Sequence, residues 1–362
     1  MIRLLLVLGA LSASAVDIDE AMTRGVDFLV GHQNEDGSWG KPGPTKGLNI
    51  YLPVPSGHIG LRAACTALAV DALRAVDRDD ARAARAGGAK WLLANLPRVK
   101  RVAPRSLYNV WTHAYALTAL VNLREDAGFW QRAAYNRAIH FEIDQLLRYE
   151  SVNGGWGYYD FYMKTAVPGS SSTSFMNATV LIALRDAQEA GFHVPRKLVE
   201  GGLRETLRQR NPDGTFMYSS KFIWYPAHEV HRRPGSLGRS QVCNLALRRW
   251  NQGDISDTEI ATWLDNLIQR NGWLAMGLKR PIPHESWYQV AGYFYYYGHY
   301  YAAFCIDLLP EADREYYQHS LASIILSHQD GDGSWWDFPL YGYHQTYGTA
   351  FALMTLQRTL PQ

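Results

Sequence analysis

Two stretches at opposite ends of the chain repeat one another, and this recurrence constrains the fold more than any other feature. Near the start, Arg24-Gly25 and Phe28-Leu29 lead into Gln33, Gly37 and Trp39; near the end, Gln329 leads into Gly333 and Trp335. Each reads as a helix end carrying Gln, a Gly-rich turn, and a Trp two residues beyond the Gly. Recurrence of this kind marks a repeat architecture. Weaker copies lie between, around Trp91 and Asn95, at Gln145 with Gly154-Gly155-Trp156, at Gln209 with Gly214 and Phe216, and at Gln269 with Gly272-Trp273. Taking Gln33, Asn95, Glu150, Gln209, Gln269 and Gln329 as equivalent helix ends gives steps of 62, 55, 59, 60 and 60 residues.

Each unit holds two helical patterns. The first is amphipathic: Ile260, Trp263, Leu264, Leu267 and Ile268 form the stripe of a helix with one wet face. Ser256 with Glu259 three residues on reads as its capping box, and Pro310 suits the first turn of the last such helix. The second pattern is apolar nearly all round, as in 63–76, 114–123, 178–184, 242–247, 293–306 and 348–356. A helix with no wet face must be covered on every side. Six one-sided helices alternating with six all-round apolar ones pack as an outer and an inner ring. The expected fold is therefore all-α, an (α/α)6 toroid of six helical-hairpin repeats of about 60 residues, occupying 16–362 as one domain.

Composition narrows the function classes. With 47% apolar and 19% charged residues the chain can bury a large core. A net charge of +2, from 36 basic and 34 acidic side chains, argues against nucleic acid as partner, since phosphate binding needs a concentrated basic surface. The one basic cluster, Arg98, Lys100, Arg101 and Arg105, reads as a solvated loop. Arg3 followed by an apolar run from Leu4 to Leu11 and by Ala13-Ser14-Ala15 predicts a secretory signal over 1–15 and an exported protein, periplasmic or secreted. No later segment has the length and apolarity of a transmembrane span. Cys65, Cys243 and Cys305 lack metal-ligand spacing and fall in apolar helices, which predicts buried free thiols.

The Gln–Gly–Trp sentences resemble the QW repeats of the terpenoid cyclase and protein prenyltransferase superfamily. The first copy fits basic-Gly, aromatic-Leu, Gln, then Gly-x-Trp, and the order Asp332-Gly333-Ser334-Trp335 before Tyr347-Gly348-Thr349 is similar to the last repeat of squalene-hopene cyclases. The resemblance runs from about Asp17 to the end and implies the toroid. Cyclases of this type use an Asp-x-Asp-Asp acid. Its letters occur at Asp77-Arg78-Asp79-Asp80, but between an inner and an outer helix, where they read as a helix cap. His344 resembles the zinc-binding His of prenyltransferases, yet the Asp-x-Cys partner is absent, as is the Cys-Gly-Glu-Gln of thioester relatives. No cofactor and no metal site is assigned.

In such a ring the starts of the inner helices converge at one mouth, and polar residues collect there. The catalytic candidates are His113, Arg239, His284, Tyr288, His344 and Tyr347; the substrate-binding candidates are His58, Tyr108, Asn109, Thr173, Tyr295, His299 and Tyr341. In the fifth unit His284, Tyr288, Tyr295 and His299 are placed on one helical face. His228 and His231 are spaced to share a metal, but no third ligand is identifiable. Asp330 to Gly333 lacks the later Glu of a calcium loop and reads as a turn.

The leading expectation is a toroid that binds or transforms an apolar, isoprenoid-like molecule in a central aromatic cavity, with neither the Asp-x-Asp-Asp acid nor the zinc site in place. The rivals are a carbohydrate-active enzyme resembling a polysaccharide lyase, with Arg239 neutralising a uronate and His or Tyr as acid and base, and a non-catalytic binding toroid. The ligand is a small molecule or an oligosaccharide, and oligomeric state is left open.

Overall fold

The computed structural model describes residues 15–43, 55–101, 106–107, 109–160, 168–169, 172–225, 227–282, 284 and 292–360. The predicted signal over 1–15, except Ala15, lies outside them, as do Arg105, Tyr108 and Tyr288. Helices supply nearly all of the regular structure. They run α1 (Ala15–Gly31), α2 (Pro55–Ala72), α3 (Asp79–Asn95), α4 (Val110–Asp126), α5 (Phe129–Arg148), α6 (Ser174–Glu189), α7 (Arg196–Arg208), α8 (Arg233–Arg249), α9 (Asp257–Gln269), the short α10 (Asn271–Ala275), α11 (Tyr295–Asp307), α12 (Glu311–Leu326) and α13 (His344–Thr359). Two two-residue strands, β1 (Ser106–Leu107) and β2 (Tyr159–Asp160), pair antiparallel.

The ring closes. Inner helices pack in the order α2, α4, α6, α8, α11, α13, and α13 returns to pack on α2. The outer helices α1, α3, α5, α7, α9 and α12 lie against them. Burial follows the sequence pattern: α6 is buried at Ser174 through Leu184, whereas α9 buries only Ile260, Trp263, Leu264 and Leu267. No described helix is long and apolar enough to cross a membrane. Cys65, Cys243 and Cys305 are free and buried, as their apolar neighbours predict.

The repeated turns bolt the rings together. Trp39, Trp156 and Trp335 are fully buried, and each indole N–H donates to a carbonyl ten residues earlier, on Leu29 (2.7 Å), Leu146 (2.8 Å) and Ile325 (2.9 Å). Their backbone N–H groups donate to inner-helix side chains: Trp39 to Thr66, Trp156 to Asn177 and Trp335 to Thr349. The Gln amide bonds its own turn and the next outer helix. Gln33 donates to Gly37 O (2.8 Å) and Ala84 O (2.7 Å), and Gln329 donates to Gly333 O (3.0 Å) and Ala21 O (2.9 Å). The last repeat thus ties back to the first by the same device that ties the first to the second. Glycine is required in these turns on two grounds. Gly37 and Gly333 have φ near +89° and +88°, and a Cβ would lie 2.7 Å from Gly87 O and 2.6 Å from Arg24 O on the adjoining outer helix.

Two local expectations are adjusted. Ser256 accepts from Glu259 N (3.2 Å), but the Glu259 carboxylate pairs with Arg210 (2.7 Å) instead of closing the capping box. Pro310 stands one residue ahead of α12, as its N-cap.

Candidate functional site

The hub of the ring holds two chambers end to end. The first lies among the N-terminal halves of the inner helices and has a volume of about 150 Å³. Ten of its fifteen lining side chains are aromatic, among them Trp111 and Tyr115 of α4, Phe175 of α6, Tyr297 of α11 and Tyr347 and Phe351 of α13. The rings brace one another: Trp111 stacks on Phe175 (5.9 Å) and meets Tyr297 edge-on (5.5 Å), and Phe175 meets Phe294 edge-on (4.9 Å). Such a wall is apolar, yet each ring face carries partial negative charge.

The second chamber, about 550 Å³, lies among the C-terminal halves of the same helices. Its wall includes Asp71, Asp186, Thr118, Asn122, Tyr300 and Arg358. Leu68 and Tyr115 line both chambers and form the neck between them. Asp186 is held by Arg249 (2.5 Å) and accepts from the Thr118 hydroxyl (3.2 Å). Asp71 accepts from the Asn122 amide (2.6 Å). Burial in the ring raises the pKa of both carboxyls despite these bonds.

One acid stands behind the aromatic wall. Asp337 is fully buried and accepts from the Tyr347 hydroxyl (2.8 Å) and the Tyr296 backbone N–H (3.3 Å). Burial pushes its pKa up to about 7, outweighing the hydrogen bonds that lower it. The same burial, with the Asp337 charge beside it, puts Tyr347 well above the usual phenol range.

Among the described residues, the polar side chains expected at the inner-helix starts do not share one pocket, and of these Tyr347 lines the aromatic chamber. His113 faces outward from α4, fully buried, with Nδ1 2.6 Å from Glu142 on α5, and burial raises the pKa of that carboxyl. Arg239 lies inside α8, which begins six residues earlier, at Arg233. Its guanidinium donates to Val230 O (3.0 Å) and Phe216 O (3.4 Å), and burial lowers its pKa to about 10. His299 is buried against Tyr295 O (2.7 Å) and Asn271 (2.7 Å), with its pKa lowered to about 4 by burial, and Tyr295 donates to Asn271 (2.8 Å). Both face the outer ring. Asn109 has φ 56° and donates to Lys100 O (2.7 Å); Thr173 caps α6 without a side-chain bond. These are packing and turn positions.

The remainder lie nearer the hub. His344 opens α13 with Nδ1 2.7 Å from Tyr341 O, beside Trp336. His58 borders a separate groove with Arg62, Trp91 and Lys100, meeting Tyr341 edge-on (4.8 Å) and Tyr343 at 3.1 Å. His284 is not on a shared helical face with Tyr295, because α11 begins only at Tyr295 and His284 takes φ 60° in a turn. It instead ends a hydrogen-bonded chain reaching the aromatic chamber: Tyr158 to Tyr218 (2.8 Å), Tyr218 to Tyr293 (3.3 Å), Tyr293 to His284 Nε2 (3.1 Å).

Asp77 and Asp79 are almost wholly exposed at the start of α3 and pair with Arg82, far from any cavity acid role. His231 Nδ1 accepts from Tyr218 N (2.9 Å), and no three His, Cys, Asp or Glu side chains cluster as metal ligands among the described residues. The acids that do reach the hub, Asp71, Asp186 and Asp337, escaped the sequence reading. A signal was available for Asp71, the one acid of α2, whereas Asp186 shares the end of α6 with Arg185 and Glu189.

No family model matches the chain, and no curated protein matches it. Solved structures share its fold. An inactive variant of an α-1,6-mannanase of family GH76 from Salegentibacter, bound to α-1,6-mannotriose, superposes with TM-score 0.55 at 10% identity, over 94% of this chain and 98% of that one. A type II terpene cyclase from Scytonema, bound to its product merosterolic acid A, gives 0.54 at 14% identity over 95% and 97%. An α-amylase from Clostridium perfringens gives 0.55 at 12% identity over 94% and 97%. At such identities the likeness is one of fold. The chain is thus an α/α toroid of the architecture that terpene cyclases and glycoside hydrolases have in common.

Proposed function

We propose that this is an exported protein that binds an apolar, isoprenoid-like molecule in the aromatic chamber and transforms it by proton donation from Asp337 through Tyr347. The observation that carries the reading is the wall itself: ten rings around one space, with a buried carboxyl behind one of them. A pKa near 7 keeps a large share of Asp337 protonated at neutral pH, at some loss of acid strength. The Tyr347 hydroxyl also lies 3.2 Å from Phe338 O, so the phenol can accept from the protonated carboxyl while keeping its own proton.

In the step proposed, the Asp337 proton moves onto the Tyr347 oxygen in concert with transfer of the hydroxyl's own proton from Phe338 O to an alkene carbon, so that no free phenolate forms, and the alkene π-bond becomes the new C–H bond. The carbocation so formed faces ring quadrupoles in a space that holds little water. Loss of a neighbouring proton back to the pair closes the cycle, giving an isomer with no co-reactant.

The glycoside hydrolase neighbours support a carbohydrate-active reading equally at the level of fold. Its expected machinery is dispersed, however: His113 and Arg239 face different outer elements and line neither chamber.

Incubation with isoprenols of five and ten carbons, sized for a space of about 150 Å³, followed by gas chromatography and mass spectrometry, tests the proposal. An isomer of unchanged mass is expected, reduced by roughly 100-fold or more in Tyr347→Phe and Asp337→Asn. Absence of any isomer, with sugar or unsaturated uronate released from polysaccharides, would overturn it.

A further inference from the structure

The polar chamber has a charge imbalance of its own. Asp126 is paired with Arg74 and Arg85, and Asp186 with Arg249. Asp71 has no ion pair among the described residues: it lines the chamber, and its carboxylate takes the Asn122 amide. The two arginines on the chamber wall act on Asp71 only at a distance, because Arg74 is engaged by Glu125 and Asp126, and Arg358 by Asp307. A half-buried carboxylate without a cation is costly unless something supplies the charge.

A second observation points into the same space. Tyr300 is 6% exposed, lines the chamber, and its hydroxyl has no hydrogen-bond partner among the described residues. Tyr300 shares the wall of the chamber with Asp71 and Asp186, and burial, with the charges of both acids, puts its pKa well above the usual phenol range. A phenol oxygen on the chamber wall with no protein partner is available to a ligand.

The unused atoms on the wall also share a sign. The Asn122 amide nitrogen bonds Asp71 and that of Gln357 bonds Ala72 O, and the oxygen of each amide has no hydrogen bond among the described residues. The Arg358 guanidinium already lies 3.6 Å over the Phe304 ring, so this wall favours cations through its aromatic faces as well.

We infer that the chamber at the C-terminal ends of the inner helices is a second binding site, for an organic ammonium group held by Asp71 and Tyr300. A primary ammonium offers three donors, and its charge balances that of Asp71, which a neutral polyol cannot do. The inference does not depend on what fills the aromatic chamber.

Titration calorimetry on the full chain at about pH 8, where a primary alkylamine is charged, tests it. The probes are n-butylammonium, n-butanol and methyl α-mannopyranoside. Binding of n-butylammonium alone is expected, weakened roughly tenfold or more by Asp71→Asn and several-fold by Tyr300→Phe. Failure of n-butylammonium to bind, equal affinity in Asp71→Asn, or binding of the mannoside in its place would overturn the inference. Should Asp71→Asn fail to fold, Tyr300→Phe decides: weaker binding supports the site, and unchanged binding removes it.

Discussion

The two ends of the hub are built from the same helices and yet are chemical opposites. At the N-terminal halves, rings pack against rings around a small apolar space. At the C-terminal halves stand Asp71 and Asp186, acids at the end of the helix where the macrodipole is already negative. Both the dipole and burial work against a carboxylate there. Arginines offset part of that cost, with Arg249 on Asp186 and Arg358 and Arg74 on neighbouring acids. The aromatic end is held by burial, which is indifferent to salt and nearly so to pH. The polar end is held by charge pairs and responds to both. One ring thus carries two environments with different physical sensitivities.

The sharpest way to break this contrast is at the aromatic end. Phe175 is fully buried between Trp111 and Phe294, so Phe175→Ala is expected to cost about 3–5 kcal/mol. Urea denaturation at low and high salt checks it, with a loss that does not change with salt. At the polar end, Arg249→Ala is expected to cost about 2 kcal/mol, discounted for the partial exposure of the pair, because it leaves Asp186 deep in the ring without its cation. Adding Asp186→Asn should restore part of the loss, and a double-mutant cycle that shows no coupling would refute the assignment.

Asp337 gives the smallest effect and the clearest sign. Its folded pKa, about 7, lies above the ordinary carboxyl value, so the folded chain binds more protons than the unfolded chain between about pH 4 and pH 7. Its contribution therefore favours the fold as pH falls through that window and is lost as pH rises through about 7. Asp337→Asn should flatten this part of the stability profile and raise stability by about 1–2 kcal/mol near pH 8. A profile that keeps the wild-type slope would show that Asp337 is not the titrating group.

The sequence made the scaffold legible because its signals are local. Trp39, Trp156 and Trp335 each bond a carbonyl ten residues back, so a short window contains the whole device, and its period reveals the ring. The site was legible only in part. Tyr347 was identified by its place at a helix start, and it does line the hub. His113, Arg239 and His299 sit on equally apolar helices at similar positions, but their side chains point to outer helices or loops and not to the axis. A helix that is apolar all round gives no pattern from which to read its axial face. Asp71 and Asp186 were hidden by the opposite bias, since attention to helix starts passes over helix ends.

By itself, then, the chain's order of residues determined that helical hairpins recur, which helix of each is inner, and that a Gln, a Gly and a Trp stand at the first and last joints. Only the closed ring decided which side chains meet. Rotation of each inner helix about its own axis is set by contacts with two flanking inner helices and an outer helix at once, and the flanking inner helices lie about 60 residues or nearly a full chain length away. That is why the pairing of Asp337 with Tyr347, the neck at Leu68 and Tyr115, and the isolation of Asp71 are properties of the tertiary structure.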